Sequence, residues 1–350
     1  MTVAGGARVL NGLAAVVVVF AALWVAEAVF APIAFALFVV ACLWPLQTRL
    51  EARFPRLLAT LLGLATAILV VGAFGYVVVW GFGRVGHRLV AEAGRFVALY
   101  EQAVEWLEYR GIGAAGLWGE YANVGLLIRL VQEAAFQIRA TMSFSVVVLV
   151  YVMLVLLEAN DVGVRLGRLG QDGSSGTLVR TAVSTARKFR TYMLVRSAMS
   201  ITTGVLVWAL TTALGLELSL EWGVIAFVLN YIPFIGSFIA TILPSLFALV
   251  QFGSWQLALV TFACLNAVQF AVGSFLEPRI AGKRLRISPS LVLFSVFFWT
   301  FLWGIAGALI GVPIMIVVLT ALEETPSTRW IADLLSGQSS ADDERVDARE

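Results

Sequence analysis

The residues best suited to chemistry lie within or at the end of long apolar segments. The triplet Glu277-Pro278-Arg279 ends one such segment. A carboxylate at the end of a membrane span can take up and release a proton when it is partly removed from water. Glu277 is therefore a candidate for coupling proton movement to solute transport. An interfacial ion pair with Arg279 or Lys283 explains the same pattern, and the residues alone favour this second interpretation.

A polar stripe precedes the triplet. Asn266, Gln269, Gly273 and Glu277 fall at offsets that share one face of an α-helix. Polar side chains of a membrane helix face protein or water rather than lipid. The stripe therefore predicts a pathway-lining face. Hydrogen bonds between helices are the alternative, and the carboxylate at its end favours the pathway.

A third candidate is the segment from Asn230 to Gly236, which reads NYIPFIG. Pro233 removes a backbone donor and ends a helix, whereas Gly236 permits close approach or an unusual backbone angle. Asn230 offers donors and acceptors at membrane depth. Such groups suit a small polar solute. A kinked span, with its asparagine bonded to a neighbouring helix, explains the segment equally well.

The composition defines the class of protein. Of 350 residues, 60% are hydrophobic and 13% are charged, with a mean hydropathy of +0.92. Soluble domains carry about a quarter charged residues. The chain is therefore expected to be an all-α polytopic membrane protein with six to eight transmembrane helices. Its apolar start is interpreted as a retained span, since apolar sequence resumes at once.

The sequence gives little support to enzymatic, metal or nucleic-acid chemistry. One histidine, His87, supplies neither a Ser-His-Asp set nor a multi-histidine metal site. Cys42 and Cys264 lie in apolar segments without metal-ligand spacing. No cofactor, no metal and no nucleic-acid partner is expected, and the chain is not expected to be an enzyme.

Two apolar stretches, 219–251 and 289–322, predict re-entrant hairpins. Each has about thirty residues and is interrupted midway by Gly and Pro. A bilayer core of about 30 Å needs about 20 helical residues, so each stretch is too long for one span and too short for two. The turn of the second hairpin is expected to be formed by the following residues: Gly304, Gly307, Gly311 and Pro313.

Charge predicts the topology. Residues 159–198 hold seven Lys and Arg against two Asp, and such loops stay cytoplasmic. The basic loop 277–288 is also cytoplasmic if both apolar stretches are hairpins, but external if each crosses once. Hairpins entering from opposite faces indicate an inverted repeat.

The predicted organisation has five parts. Spans one and two are expected to form a tight hairpin that turns near residues 27–32. The parts are spans one to three at 1–80, an extracytoplasmic amphipathic helical arm at 81–140 with a break at 111–116, span four and a basic cytoplasmic loop at 141–198, a transport core at 199–324, and a cytoplasmic tail at 325–350 whose end is disordered.

Residues 230–249 and 275–324 closely resemble the autoinducer-2 exporter family of bacterial membrane proteins. The matching positions are Ile232, Pro233 and Gly236; Glu277, Pro278, Arg279, Ile280 and Gly282; and Gly307, Gly311, Val312 and Pro313. The resemblance implies a homo-oligomeric, possibly pentameric transporter. Some members are linked to export of autoinducer-2, and others to sodium/proton antiport.

These observations predict a bacterial inner-membrane transporter that exports a small polar solute similar to autoinducer-2 by alternating access. In this hypothesis 199–322 moves against spans one to four, with H⁺ or Na⁺ as a coupling ion. A sodium/proton antiporter is the alternative within transport; an oligomeric channel and a membrane scaffold are alternatives from other classes. The candidate pathway residues are Asn230, Pro233, Gly236, Asn266, Gln269, Glu277, Arg279, Gly307, Gly311 and Pro313.

Cysteine labelling tests the predicted topology. A membrane-impermeant thiol reagent should reach a cysteine at position 253 from outside the cell, and one at position 283 only after the cytoplasmic side is opened. Labelling of position 283 in intact cells would contradict the two-hairpin topology.

Overall fold

The computed structural model describes residues 3–110, 143–158, 173–281, 288–325 and 328–336, and these form helices joined by short turns. The helices are α1 (Val3–Val25), α2 (Glu27–Glu51), α3 (Arg56–Ala91), α4 (Ala93–Tyr109), α5 (Ser143–Glu158), α6 (Gly173–Ala213), α7 (Ser219–Leu229), α8 (Ile235–Phe252), α9 (Trp255–Ala271), a π-helical turn (Val272–Leu276), α10 (Glu277–Ala281), α11 (Pro289–Glu324) and α12 (Arg329–Ser336).

Six helices are long and apolar enough to cross a bilayer: Glu27–Glu51, Arg56–Ala91, Thr181–Ala213, Ile235–Phe252, Trp255–Ile280 and Pro289–Glu324. Three shorter apolar helices accompany them: Ala14–Val25, Ser143–Glu158 and Ser219–Leu229. The prediction of an all-α polytopic membrane protein is confirmed.

Several predicted boundaries change. The segment 173–198, expected to belong to a loop, is helical and continues into the next span as α6. Neither Gly nor Pro occurs between Gly176 and Gly204, so nothing in that sequence stops the helix. The predicted turn near 27–32 lies at Ala26 instead, and Pro32 is buried inside α2.

Some predicted features fall outside the described residues. They are the break at 111–116 and the second helix of the arm, the start of the basic loop at 159–172, residues 282–287, and the end of the tail from residue 337.

The chain divides into two compact units. Unit one comprises 1–67, 146–192 and 284–350. In it, α1 and α2 both pack against α11. Trp303 Nε1 donates to the Leu23 carbonyl at 3.0 Å, and the rings of Phe20 and Phe298 meet edge-on at 5.0 Å. Aromatic packing and one indole hydrogen bond thus fix α11 to α1.

Unit two comprises 68–145 and 193–283. Its core forms where α7 and α8 meet α6 and α9, with Trp222 against Phe247 at a ring distance of 5.6 Å. Helices α6 and α7 touch through their backbones, because a Cβ on Gly204 would lie 2.9 Å from the Gly223 carbonyl oxygen. Small residues permit this close approach.

The stretch 219–251 folds as a helical hairpin, here called hairpin one, formed by α7, α8 and a tip at residues 230–234. At the tip, Ile235 N–H donates to the Pro233 carbonyl at 2.7 Å across Phe234, whose φ of 61° and ψ of −60° describe a strained γ-turn. A Cβ on Gly236 would lie 1.7 Å from the Leu229 carbonyl oxygen, so only glycine fits there. The helix break at Pro233 and the close approach at Gly236 are confirmed.

The stretch 289–322 is also bent back on itself, and is called hairpin two. Its turn lies at Trp303 and Gly304, and the φ of 56° at Gly304 favours glycine. A Cβ on Gly307 would lie 1.8 Å from the Trp299 carbonyl oxygen, and Ser295 Oγ donates to the Gly311 carbonyl at 2.6 Å. The expectation that four residues form this turn was wrong, because Gly307, Gly311 and Pro313 lie in the returning helical arm.

Ion pairs fasten the arm to the base of hairpin one. Arg84 on α3 pairs with Glu221 on α7 at 3.0 Å, and the Glu221 side chain is only 6% exposed. Arg88 pairs with Glu217 at 2.6 Å. Gln251, near the end of α8, accepts from the Glu217 N–H at 2.8 Å. We call these contacts the base clamp, because they join α3 to the base of hairpin one.

The glycines at the hairpin contacts should resist substitution. Gly236→Ala and Gly307→Ala force a methyl group against a backbone carbonyl. Each should therefore lower the free energy of unfolding by about 3 kcal/mol or more. Gly75→Ala is the control, because nothing lies within 4 Å of its Cβ, and helix propensity predicts a gain of about 0.5–1 kcal/mol. Thermal unfolding of the detergent-purified protein measures this difference, and equal melting temperatures for the three variants would contradict the hairpin contacts.

The buried ion pair of the base clamp should stabilise the protein more than an exposed ion pair outside the clamp. Arg84→Gln leaves the buried Glu221 carboxylate without its cation and should cost about 1–3 kcal/mol. Arg95→Gln removes an exposed partner of Glu92 and should cost less than about 1 kcal/mol. Adding Glu221→Gln to Arg84→Gln should recover part of the loss. Thermal unfolding of the full chain checks this order; a larger loss for Arg95→Gln would be incompatible with the clamp.

Candidate functional site

A row of polar residues follows one face of α6 within unit two. Arg196, Ser197, Ser200 and Thr203 occur at helical spacing, and we call them the polar face. Ser200 and Thr203 have no exposed surface, and Arg196 is buried. Buried polar groups normally have hydrogen-bond partners. Thr203 Oγ1 has none among the described residues, so the polar face carries unused hydrogen-bonding capacity.

The tip of hairpin one places its amide against the polar face. Asn230 is only 6% exposed, and its Nδ2 donates to Ser200 Oγ at 3.2 Å. The amide oxygen of the same side chain is an additional acceptor. The structure therefore shows the second interpretation of Asn230, a hydrogen bond to a neighbouring helix, and it places that bond beside a strained turn.

Tyr231 is held beside Asn230 by aromatic neighbours. Its ring meets Phe74 and Phe227 edge-to-face, each at 5.7 Å. Its hydroxyl donates to Ser197 Oγ at 2.9 Å. Edge-to-face pairs of this kind fix ring orientation, so the phenol is presented to the polar face in a defined position.

An ion pair lies one helical turn from Ser200. Arg196 Nη1 donates to Glu277 Oε1 at 3.3 Å, with the arginine side chain 8% exposed and the glutamate 39% exposed. The π-helical turn Val272–Leu276 precedes Glu277. Such a turn changes the angular position of the residues after it, so Glu277 does not continue the face on which Asn266 lies. An ion pair at Glu277 exists as expected, and its partner among the described residues is Arg196 rather than Arg279. The other expected partner, Lys283, lies outside the described residues.

Helix lengths show how far the tip of hairpin one extends. Helix α8 has 18 residues, which is about 27 Å from base to tip. The hydrocarbon core is about 30 Å thick. The tip therefore lies far from the base clamp and close to the level of Arg196 and Glu277.

Other predicted site residues are placed differently. Asn266 is exposed, and its Nδ2 donates to the Phe262 carbonyl of its own helix at 2.8 Å. Gln269 is half-buried, and Arg279 is exposed. Gly307, Gly311 and Pro313 belong to unit one, where they are buried between the arms of hairpin two. Of the predicted residues, the structure brings Asn230, Pro233 and Gly236 together at the tip.

The sequence interpretation did not single out four residues that the structure joins to Asn230, to Glu277 or to one another: Arg196, Ser197, Ser200 and Tyr231. Arg196 was counted among the charges of a cytoplasmic loop, which explained it without a structural role. The signal available in the sequence was the spacing of Arg196, Ser200 and Thr203, which places them on one face of a helix. An apolar span follows them directly in the sequence.

Comparisons with known proteins place the chain in a family of transporters. Residues 13–327 match the model described as AI-2E family transporter. The chain is 30% identical over 335 residues to the AI-2 transport protein TqsA of Escherichia coli strain K12, which covers 95% of this chain and 96% of that protein.

Two further relatives match over shorter lengths. A candidate transport protein of Borreliella burgdorferi is 36% identical over 147 residues, covering 42% of this chain and 41% of the relative. A sodium-lithium/proton antiporter of Halobacillus andaensis is 22% identical over 123 residues, covering 33% and 32%. With its apolar helices and a family match across nearly its whole length, the chain is a multi-pass bacterial membrane protein that belongs to the AI-2E transporter family.

Proposed function

We propose that this protein is a secondary transporter that exports a small polar solute similar to autoinducer-2, and that the solute binds at the tip of hairpin one. The observation that carries the proposal is the contact between Asn230 and Ser200, at a strained turn deep within apolar helices. Broken helices at membrane depth are tolerated where they are buried or line a cavity, and in transporters they surround the substrate.

Alternating access suits the construction of hairpin one. The tip is joined to α6 by side-chain hydrogen bonds from Asn230 and Tyr231, which can break and re-form. The base is held by the buried pair of Arg84 with Glu221. We infer that the tip is the part that opens toward the cytoplasm, while the base remains closed.

The choice of solute rests on the relative with the longest match among those compared. TqsA is named as an AI-2 transport protein and aligns over nearly the whole chain, which favours the same solute here. From the family resemblance we also propose a homo-oligomer, with a pentamer as the candidate assembly.

Sodium/proton antiport is the second candidate function. It is supported by the ion pair of Arg196 with Glu277 and by the name of the Halobacillus andaensis relative. In that function Glu277 exchanges a proton for the cation, and Glu277→Gln abolishes sodium-driven proton movement.

A flux experiment separates the two functions. Liposomes that contain the full-length protein are loaded with autoinducer-2. Efflux of autoinducer-2 is then followed with and without sodium and proton gradients. In parallel, a pH-sensitive dye reports proton movement driven by sodium alone. Autoinducer-2 efflux above that of protein-free liposomes supports the exporter. Sodium-driven proton movement without such efflux supports the antiporter, whereas gradient-dissipating flux without a counter-ion requirement indicates a channel.

Substitutions at the tip should lower autoinducer-2 efflux. Asn230→Ala and Ser200→Ala each remove one partner of a buried hydrogen bond, and we expect at least a tenfold lower rate at unchanged protein abundance. Thr202→Ala is the control on the same helix, because that side chain is only half-buried and bonds the Ala198 carbonyl of its own helix. Efflux that is unchanged in Asn230→Ala and Ser200→Ala would remove the tip from the solute pathway.

A further inference from the structure

The guanidinium of Arg196 is buried with few partners. An arginine side chain carries five N–H donors and keeps its charge at all physiological pH values. Only 8% of this side chain is exposed, and its ion pair with Glu277 is long at 3.3 Å. Arg196 Nε is buried and has no hydrogen-bond partner among the residues that the structure describes. Within that part of the chain, the site therefore holds a positive charge with a donor left unsatisfied.

Removing a charge from water costs free energy, and only close, well-directed partners offset that cost. A buried guanidinium with one long contact is therefore unfavourable. Ionisable residues at membrane depth are rare and usually mark a substrate or ion pathway. Glu277 is a weak permanent partner, because it is 39% exposed and lies in the short helix α10 after the π-helical turn. These features describe a carboxylate that can be exchanged for another anion.

We propose that Arg196 binds an anionic oxygen group of the transported solute, and that Glu277 occupies this position when the site is empty. The inference rests on the proposed transport function and extends it by assigning the chemical class of the solute. Binding of the solute releases Glu277 from Arg196, so the filled and empty sites differ in which anion neutralises the guanidinium.

The surroundings of Arg196 fit a hydroxylated anion of small size. Ser197 and Ser200 accept hydrogen bonds from Tyr231 and Asn230, so their own hydroxyl protons can be donated to a ligand. Arg196 and Ser200 are four residues apart, which is a rise of about 6 Å along α6. A solute that contacts both is therefore a few carbon atoms long, with its anionic end at Arg196 and hydroxyl groups toward Asn230.

Binding of two matched probes tests the inference. D-Glycerate is a three-carbon hydroxy acid, and glycerol is an uncharged counterpart of the same length. Isothermal titration calorimetry with the full chain in detergent measures both probes, with sodium chloride titrated as the salt control. We expect wild-type protein to bind glycerate at least tenfold more tightly than glycerol.

Two substitutions should act in opposite directions. Arg196→Gln removes the preference for glycerate, and Arg196→Lys retains part of it because the charge remains. Glu277→Gln removes the competing carboxylate and should tighten glycerate binding several-fold without changing glycerol binding. Arg187→Gln is the matched control, since that arginine is on the same helix and exposed. Thermal unfolding of each variant confirms that it is folded.

The outcomes are distinct. Equal affinity for both probes, or binding of neither, overturns the inference, as does weaker glycerate binding in Glu277→Gln. Autoinducer-2 efflux in wild-type liposomes without a glycerate preference would retain the proposed function and reject the inference. A glycerate preference that depends on Arg196, without autoinducer-2 efflux, would retain the anion site and exclude autoinducer-2 as the solute.

Discussion

The fold depends on the requirement that a broken helix inside a membrane must be covered by protein. Lipid offers no hydrogen bonds, so the backbone groups freed at each turn need partners from the chain. Both hairpins meet the requirement by bringing one arm against the backbone of the other where no Cβ fits, at Gly236 against Leu229 and at Gly307 against Trp299. The arms therefore protect each other, and each turn is held in a defined conformation.

This requirement also explains the polar face of α6. Helix α7 has only 11 residues, so the tip of hairpin one must lie against another helix. Gly204 and Gly223 let α6 approach α7 until their backbones touch. The same approach brings Ser200 within hydrogen-bond distance of Asn230. Serine hydroxyls on α6 that would be unfavourable in lipid thus become hydrogen-bond partners of the turn. The charged side chain of Arg196 is buried on the same face of α6.

Sequence reasoning predicted the features whose signals are local. Pro233 and Gly236 indicate a break in any helical context, and the lengths of the two apolar stretches predict hairpins from bilayer thickness alone. It failed where a signal depends on partners distant in sequence. Arg196 had a sufficient explanation as a loop charge, and its contact with Glu277, 81 residues away, is visible only in the fold. The stripe ending at Glu277 assumed a uniform helical period, which the turn Val272–Leu276 interrupts.

The two hairpins share a local plan but differ in chemistry, and the difference favours hairpin one as the solute site. Each has a residue of positive φ at its turn, Phe234 or Gly304, followed by a glycine packed on the opposite arm. At hairpin one the turn carries an amide and a phenol bonded to serines. At hairpin two the indole of Trp303 packs against Trp299 at a tilt and donates a hydrogen bond to the Leu23 carbonyl. The indole donor at the turn of hairpin two is used in a hydrogen bond to the backbone, which holds that turn in place. The side-chain hydrogen bonds at hairpin one can exchange, which favours hairpin one as the turn that accepts a solute.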